Sequence, residues 1–475
     1  MAGYVLSFDL WTTILLIILV YPLVRIIHNL YFHPLSNIQH PRSSVMGSLH
    51  EKYGPIIRVA PNGVTLAHPD AYTDIGEPRP EQNRRQFPKD PLWFTPALGH
   101  PDSLGSAMTF APRALRVQEP FVQKYVNLLV TQLQDLVKES KSSQVNMTPW
   151  FNYTTFDIFG DLGFGGLFDC LQHAKYHSWI AMLFDSFKAF GFFFAARQYP
   201  LIEFILVRCV PPSMRKAQQD HYQQIVNKAQ RRLSWELQRP DIMSPLIDEN
   251  GALKLDAGEL YSTFMVLTIA GSETTATALT GTLNYLVHTP ESLRHLETEI
   301  RKFSSLEDIT LDAVHNLQFL NAVLHEGLRL CSPVPWILPR LVPEGGEVIC
   351  GTWLPGGTFV STKQYTLNRD PNLFHQSTTF LPERWSKSST SNPTSCFFKD
   401  QRQVVQPFNV GPHACIGQAL AWAEMRLVLA KLVFAFDFAV IEGQRVRWED
   451  LRTYLLVERK PINVRIKLRE VNQPL

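Results

Sequence analysis

Near the C-terminal end, Phe408-Asn-Val-Gly411-Pro-His413-Ala-Cys415-Ile-Gly417 puts a cysteine, a basic side chain and two glycines into one short loop. Apolar residues then recur at Ile416, Leu420, Ala423, Leu427, Ala430 and Phe434, the spacing of one helical face. Cys415 is therefore expected at a helix N-terminus. Unpaired N–H groups and the positive end of the helix dipole lower a thiol's pKa there and favour thiolate. A thiolate is a nucleophile or a metal ligand. Gly411 and Gly417 remove side chains where a flat group would need close approach, and glycine permits positive φ. The other cysteines, Cys170, Cys209, Cys331, Cys350 and Cys396, lie far apart, and packing is the plain reading of each. No Cys-x-x-Cys occurs, which argues against a zinc ribbon or a thioredoxin-type site.

Two further groups of residues suit chemistry by type. Ala270-Gly271-Ser-Glu273-Thr274-Thr275 lies midway along a proline-free stretch. Glu273 beside Thr274 offers an acid and an alcohol, a pair able to pass protons through ordered water. A threonine hydroxyl can also disturb the local helical hydrogen-bond ladder and hold a water. Glu326-Gly-Leu-Arg329 places acid and base three apart on one helical face. By itself that pattern is weak, because Glu-x-x-Arg recurs at Glu81, Glu236, Glu291, Glu442 and Glu449.

The elements that must position these residues are mostly helical. Ala257 to about His288 reads as one long helix, Pro290 opens another, and Leu317 to Leu330 is a third, stopped by Ser332-Pro333. Pro120 to about Val137 also has helical spacing. Short β-like pieces occur at Ile56–Val59 and Gly63–Leu66. The fold class is therefore mainly α with a minor β part. Of the 475 residues 45% are apolar and 19% charged, which allows a large core and excludes wholesale disorder. Lys plus Arg is 45 and Asp plus Glu 43, a near-balance that argues against nucleic-acid binding. Six cysteines in so long a chain do not form a disulfide scaffold, and a reducing compartment fits best.

The loop at Cys415 resembles the haem-binding signature of the cytochrome P450 family, Phe-x-x-Gly-x-Arg/His-x-Cys-x-Gly. The resemblance covers nearly the whole chain. It implies the cytochrome P450 fold, with Cys415 as axial ligand of haem b iron and Phe408, Gly411 and Gly417 shaping the loop. A thiolate ligand donates electron density that favours O–O cleavage. His413 stands at the position expected to contact a haem propionate, where arginine is commoner. Arg340, in Trp336-Ile-Leu-Pro-Arg340, matches a second propionate partner, with Trp336, Ile337 and Leu338 lining the substrate pocket. Glu273 and Thr274 match the family's oxygen-activation motif, where Gly271 would let a ligand approach the backbone. Glu326, Arg329 and Arg384, the last in Pro382-Glu-Arg384-Trp, would form a buried charge network with a structural role.

The resemblance also implies partners and a place in the cell. No flavin or nicotinamide motif is present, so electrons would come from NADPH through a separate cytochrome P450 reductase. Leu10–Val24 is uncharged and mostly apolar, and Tyr31-Phe-His-Pro-Leu follows it as in fungal microsomal members. Residues 1–28 then read as a membrane anchor and 29–475 as the catalytic body. A cleaved signal peptide would want basic residues ahead of the run, whereas here Arg25 and His28 follow it, which places the body in the cytosol at the endoplasmic reticulum. Asn146-Met-Thr and Asn152-Tyr-Thr match the glycosylation pattern but would go unused there. The aromatic stretch at 176–210 suits core or the roof of a pocket for an apolar ligand.

One departure from the family stands out. Ser103-Leu-Gly-Ser-Ala-Met-Thr109 runs straight into Phe110, where the family carries a further helix that supplies a propionate arginine and part of the redox-partner surface. Three readings are open. The first is a monooxygenase acting on a lipophilic molecule in fungal secondary metabolism. The second is a haem-thiolate isomerase, dehydratase or coupling enzyme. The third is a degenerate haem protein without activity.

Overall fold

The computed structural model describes residues 43–60, 62–77, 86–91, 112–139, 143–166, 168–176, 197, 199–235, 239–248, 253–336 and 339–469. The expected anchor at 1–28, the gap at 103–110, Ile337 and Leu338, and most of the 176–210 stretch lie outside them.

The helices that build the core are α1 (Pro112–Glu139), α2 (Met147–Phe164), α3 (Pro212–Leu233), α4 (Ala257–Val287), α5 (Pro290–Ile300), α6 (Gln318–Leu330) and α7 (Gln418–Ala435). Three of the expected helices, α4, α6 and α7, appear within a residue or two of their expected bounds. The helix expected from Pro120 begins earlier, at Pro112, and carries Pro120 inside it.

Helices α2 and α4 are buried almost all round, and their long contact forms the centre of the molecule. Such a helix needs caps, because solvent cannot satisfy its ends. The Asn146 side chain accepts the Thr148 N–H, and that of Asp256 accepts the Gly258 N–H. Asn152 is fully buried, so its match to the glycosylation pattern has no surface to act on.

Small residues set how closely the helices cross. A Cβ on Gly281 of α4 would lie 2.3 Å from Cβ of Cys331. One on Gly327 of α6 would lie 2.0 Å from the Thr282 hydroxyl oxygen. Gly271 was expected to make room for a ligand. Its missing Cβ instead faces Phe159 of α2 at 3.0 Å, so this glycine serves the packing of α4 on α2.

The β part is peripheral. Strands β1 (Ile56–Ala60), β2 (Gly63–Leu66), β4 (Arg340–Leu341) and β7 (Phe359–Thr362) make one sheet in the order β1-β2-β7-β4, with β2 and β7 parallel. Strands β3 (Gln144–Asn146), β9 (Asn463–Leu468) and β8 (Phe436–Ala439) make a second, and β5 (Glu347–Ile349) pairs with β6 (Thr352–Leu354). The Arg340↔Val360 register fixes the backbone of Arg340 at the end of the first sheet.

Candidate active site

The cysteine loop is closed by its own backbone: the Cys415 N–H donates to the Phe408 carbonyl at 2.7 Å. Gly411 sits at φ +69°, and a Cβ there would come within 2.0 Å of the Gly76 carbonyl oxygen, so this position takes glycine on both counts. Gly417 differs from expectation. Its φ is −85°, so it is not needed for a left-handed conformation. It adjoins the sulfur instead: a Cβ on it would lie 3.9 Å from Cys415 Sγ.

Backbone N–H groups of Gly417 and Gln418, at the head of α7, donate to the Cys415 sulfur and pull its pKa down. Packing around the residue outweighs them, so the thiol's pKa stands above its usual value although Cys415 keeps one open side. The expected net lowering is therefore corrected for the protein alone. The two amides supply a site for sulfur charge, and a cation bound to the sulfur would complete it.

The basic residues converge as expected, with His413 held well below the usual imidazole range. Burial, then Arg340 and Lys89, push its pKa down to about 4, and its Nε2 meets the Gln86 amide nitrogen at 2.8 Å. Both charged groups bearing on His413 are cations. Arg340 is buried, and desolvation lowers its own pKa to about 10. Buried like charges gathered in this way suit an anionic group, and two propionates have that chemistry.

On α4 the middle of an otherwise buried helix opens along one stripe: Val266, Ala270 and Thr274, four apart, keep accessible surface. The Thr274 hydroxyl donates to the Ala270 carbonyl at 2.6 Å, which leaves its lone pairs directed off the helix. Glu273 points the other way. It is 4% exposed, accepts from the Asn152 amide at 2.7 Å, and pairs with Arg459 at 2.5 Å. Burial raises its pKa, while Arg459 and Asn152 oppose the rise. The sequence reading found neither Asn152 nor Arg459, because they lie 121 and 186 residues from Glu273.

The charge network forms as expected and is wholly buried. Arg329 donates to both Glu326 oxygens at 2.9 and 2.7 Å, and Arg384 Nε donates to Glu326 at 3.0 Å. Leu381 N–H and Trp385 Nε1 fill the remaining Glu326 positions, each at 2.9 Å. Arg384 also pairs with Asp400, a member with no helical spacing to reveal it. An aromatic path joins this network to the cysteine loop: Trp385 stacks on His325, His325 meets Trp422, and Trp422 meets Phe408.

A partly open cysteine sulfur backed by two amides, a cationic end and an open helix stripe together fit haem. A family model for cytochrome P450 matches residues 103–466. Cytochrome P450 monooxygenase astJ of Aspergillus oryzae is 35% identical, over 94% of this chain and 95% of the relative. Cytochrome P450 monooxygenase cpaH of Aspergillus oryzae is 37% identical, over 92% and 90%. Trichothecene C-15 hydroxylase of Fusarium sporotrichioides is 33% identical, over 94% and 96%. A crystal structure of a cytochrome P450 shares the fold with a TM-score of 0.73 at 18% identity, covering 90% of this chain and 95% of that one. The chain belongs to the cytochrome P450 family. It is a haem-thiolate monooxygenase.

Proposed function

We propose that the protein inserts one oxygen atom from O₂ into a lipophilic small molecule in fungal secondary metabolism, with electrons from NADPH through a separate reductase. The observation that carries the haem site is Cys415 Sγ receiving two amide N–H groups at the head of α7. The named relatives, monooxygenases and a trichothecene hydroxylase, support the substrate class. Haem bound here supplies the activation of oxygen.

The chain's own residues divide the remaining work. Gly417 and Gln418 N–H hold the sulfur's charge. Arg340 and Lys89 would meet the anionic edge of the cofactor, and the His413 ring would offer a further N–H there. Thr274, its hydroxyl turned to the Ala270 carbonyl, accepts a hydrogen bond from water or substrate on the open stripe. Glu273 takes up and releases protons from within the Asn152–Arg459 clamp. Its carboxyl must leave one of these partners to pass a proton towards Thr274.

Residues 1–28 anchor the protein in the endoplasmic reticulum membrane with the body in the cytosol. The length of the apolar run and the Arg25 and His28 that follow support this. Among the described residues no helix is long and apolar enough to cross a membrane. We infer that the sequence lacks a stretch ahead of Phe110 that the family fills with a helix. The alignment with astJ runs over 482 positions although this chain supplies 94% of its 475 residues, which supports segments in the relative without a counterpart here.

The test is to load the protein with haem, add a fungal reductase and NADPH, and measure NADPH consumption and product oxygen from ¹⁸O₂ over a panel of terpenoid and polyketide substrates. Labelled oxygen in product is the expected result. Product formed without NADPH would assign an isomerase or dehydratase, and haem without turnover on any substrate would assign a degenerate protein.

A further inference from the structure

Helix α4 carries a row of threonines, and most turn their hydroxyls back onto the helix. Thr268, Thr274, Thr277 and Thr280 each donate to the carbonyl four residues earlier, at 2.6 to 2.7 Å. Thr275 is different: its hydroxyl meets the carboxyl of Glu424 on α7. Glu424 is 1% exposed, and its Oε2 has no hydrogen-bond partner among the described residues. Glu424 thus links the helix that follows Cys415 to the helix that carries Thr274, one residue from Thr274 itself.

A carboxylate in such a place would be a buried charge with one neutral donor, which is strongly unfavourable. A protonated carboxyl needs far less compensation and can both accept from Thr275 and donate. The titration agrees. Burial pushes the Glu424 pKa up to about 8, opposed by the Thr275 hydroxyl, and no charged group among the described residues is a cause of the shift. This contrasts with Glu326, whose equally buried carboxylate is compensated by Arg329 and Arg384.

We propose that Glu424, as a neutral acid, is a positioning residue that ties α7 and its cysteine loop to α4 at Thr275, and that its ionisation loosens this junction. The link fixes the thiolate side of the site relative to the Thr274 stripe. In the ionised form a charge enters the contact between the two helices, and the Cys415 loop loses its fixed backing.

This rests on Cys415 being the haem ligand, and the test separates the two. The haem-loaded protein is titrated from pH 6 to 10, following the thiolate-type band of the ferrous carbon-monoxide form and, in parallel, the melting temperature. Wild type is expected to lose half of that band near pH 8. Glu424→Gln, which keeps the shape and stays neutral, should hold the band across the range. Thr275→Val should move the wild-type midpoint to higher pH, because the hydroxyl that favours the ionised form is gone.

The melting temperature should follow the same pattern. A carboxyl whose folded pKa is raised contributes stability that is full below its unfolded pKa and lost as pH rises through about 8. Wild type should therefore melt lower at pH 9 than at pH 6, by more than Glu424→Gln does. If Glu424→Gln loses the band with the wild-type midpoint, or wild type stays unchanged to pH 10, the proposal fails. A thiolate-type band absent at every pH in wild type would sink the Cys415 assignment instead, and the melting comparison would still decide the role of Glu424.

Discussion

Cys415 was legible because everything that identifies it is local: ten residues of loop, then a helix. Its electrostatics were not legible, since they depend on what packs around the sulfur from distant parts of the chain. The same limit explains Gly271, whose neighbour Phe159 comes from α2. Cys415→Ser should abolish the thiolate-type carbon-monoxide band, because a serine hydroxyl is a poor iron ligand. Cys331→Ser should keep it, since Cys331 packs against Gly281 away from the loop. A retained band in Cys415→Ser would overturn the ligand assignment. Thr274→Ala should leave haem content and NADPH consumption largely intact while more electrons end in peroxide or water. Peroxide measured per NADPH is the readout, and an unchanged ratio would remove Thr274 from proton delivery.

At the scale of elements, periodicity placed the helices, and proline and capping residues set several of their ends. It also put Glu326 and Arg329 on one face of α6, but it could not bring in Asp400 or Trp385, which arrive through turns without a repeat. The buried network predicts an asymmetric response. Glu326→Ala leaves Arg329 and Arg384 without their shared carboxylate, and uncompensated buried charge costs about 3–5 kcal/mol. Little folded protein should be recovered, and urea unfolding of what remains should show that loss. Gly327→Ala probes a different cause. Its Cβ would meet the Thr282 hydroxyl oxygen at 2.0 Å. Overpacking of this kind costs about 1–3 kcal/mol without removing any charge, so haem binding at low temperature should survive.

At the scale of the whole molecule, the inferred loss of a sequence stretch before Phe110 bears on how the cofactor is held. Beside Cys415, among the described residues, an open cleft of about 910 Å³ is walled by the loop, by Trp422 and Arg426 of α7, and by Leu115 and Arg116 of α1. Arg116 is exposed and pairs with Asp312 at 3.5 Å, so it is not held for a propionate. Burial, Arg340 and Lys89 push the His413 pKa down to about 4, so its charge depends on an anion beside it. Arg340 and Lys89 are the cations on hand for the cofactor's anionic edge whatever the state of His413. One lost charge-assisted hydrogen bond weakens binding by about 1.5–3 kcal/mol, roughly ten- to a hundred-fold in affinity. A version with a helix restored ahead of Phe110 should hold haem more tightly by that order and accept electrons faster from the same reductase. Haem occupancy after dialysis and the rate of reduction are the two measurements. His413→Arg offers an independent check, because it restores a permanent cation without refilling the cleft. If charge alone is lacking, it should recover haem affinity and leave the reduction rate unchanged. If neither variant differs from wild type, the two remaining cations suffice and the chain functions without the helix.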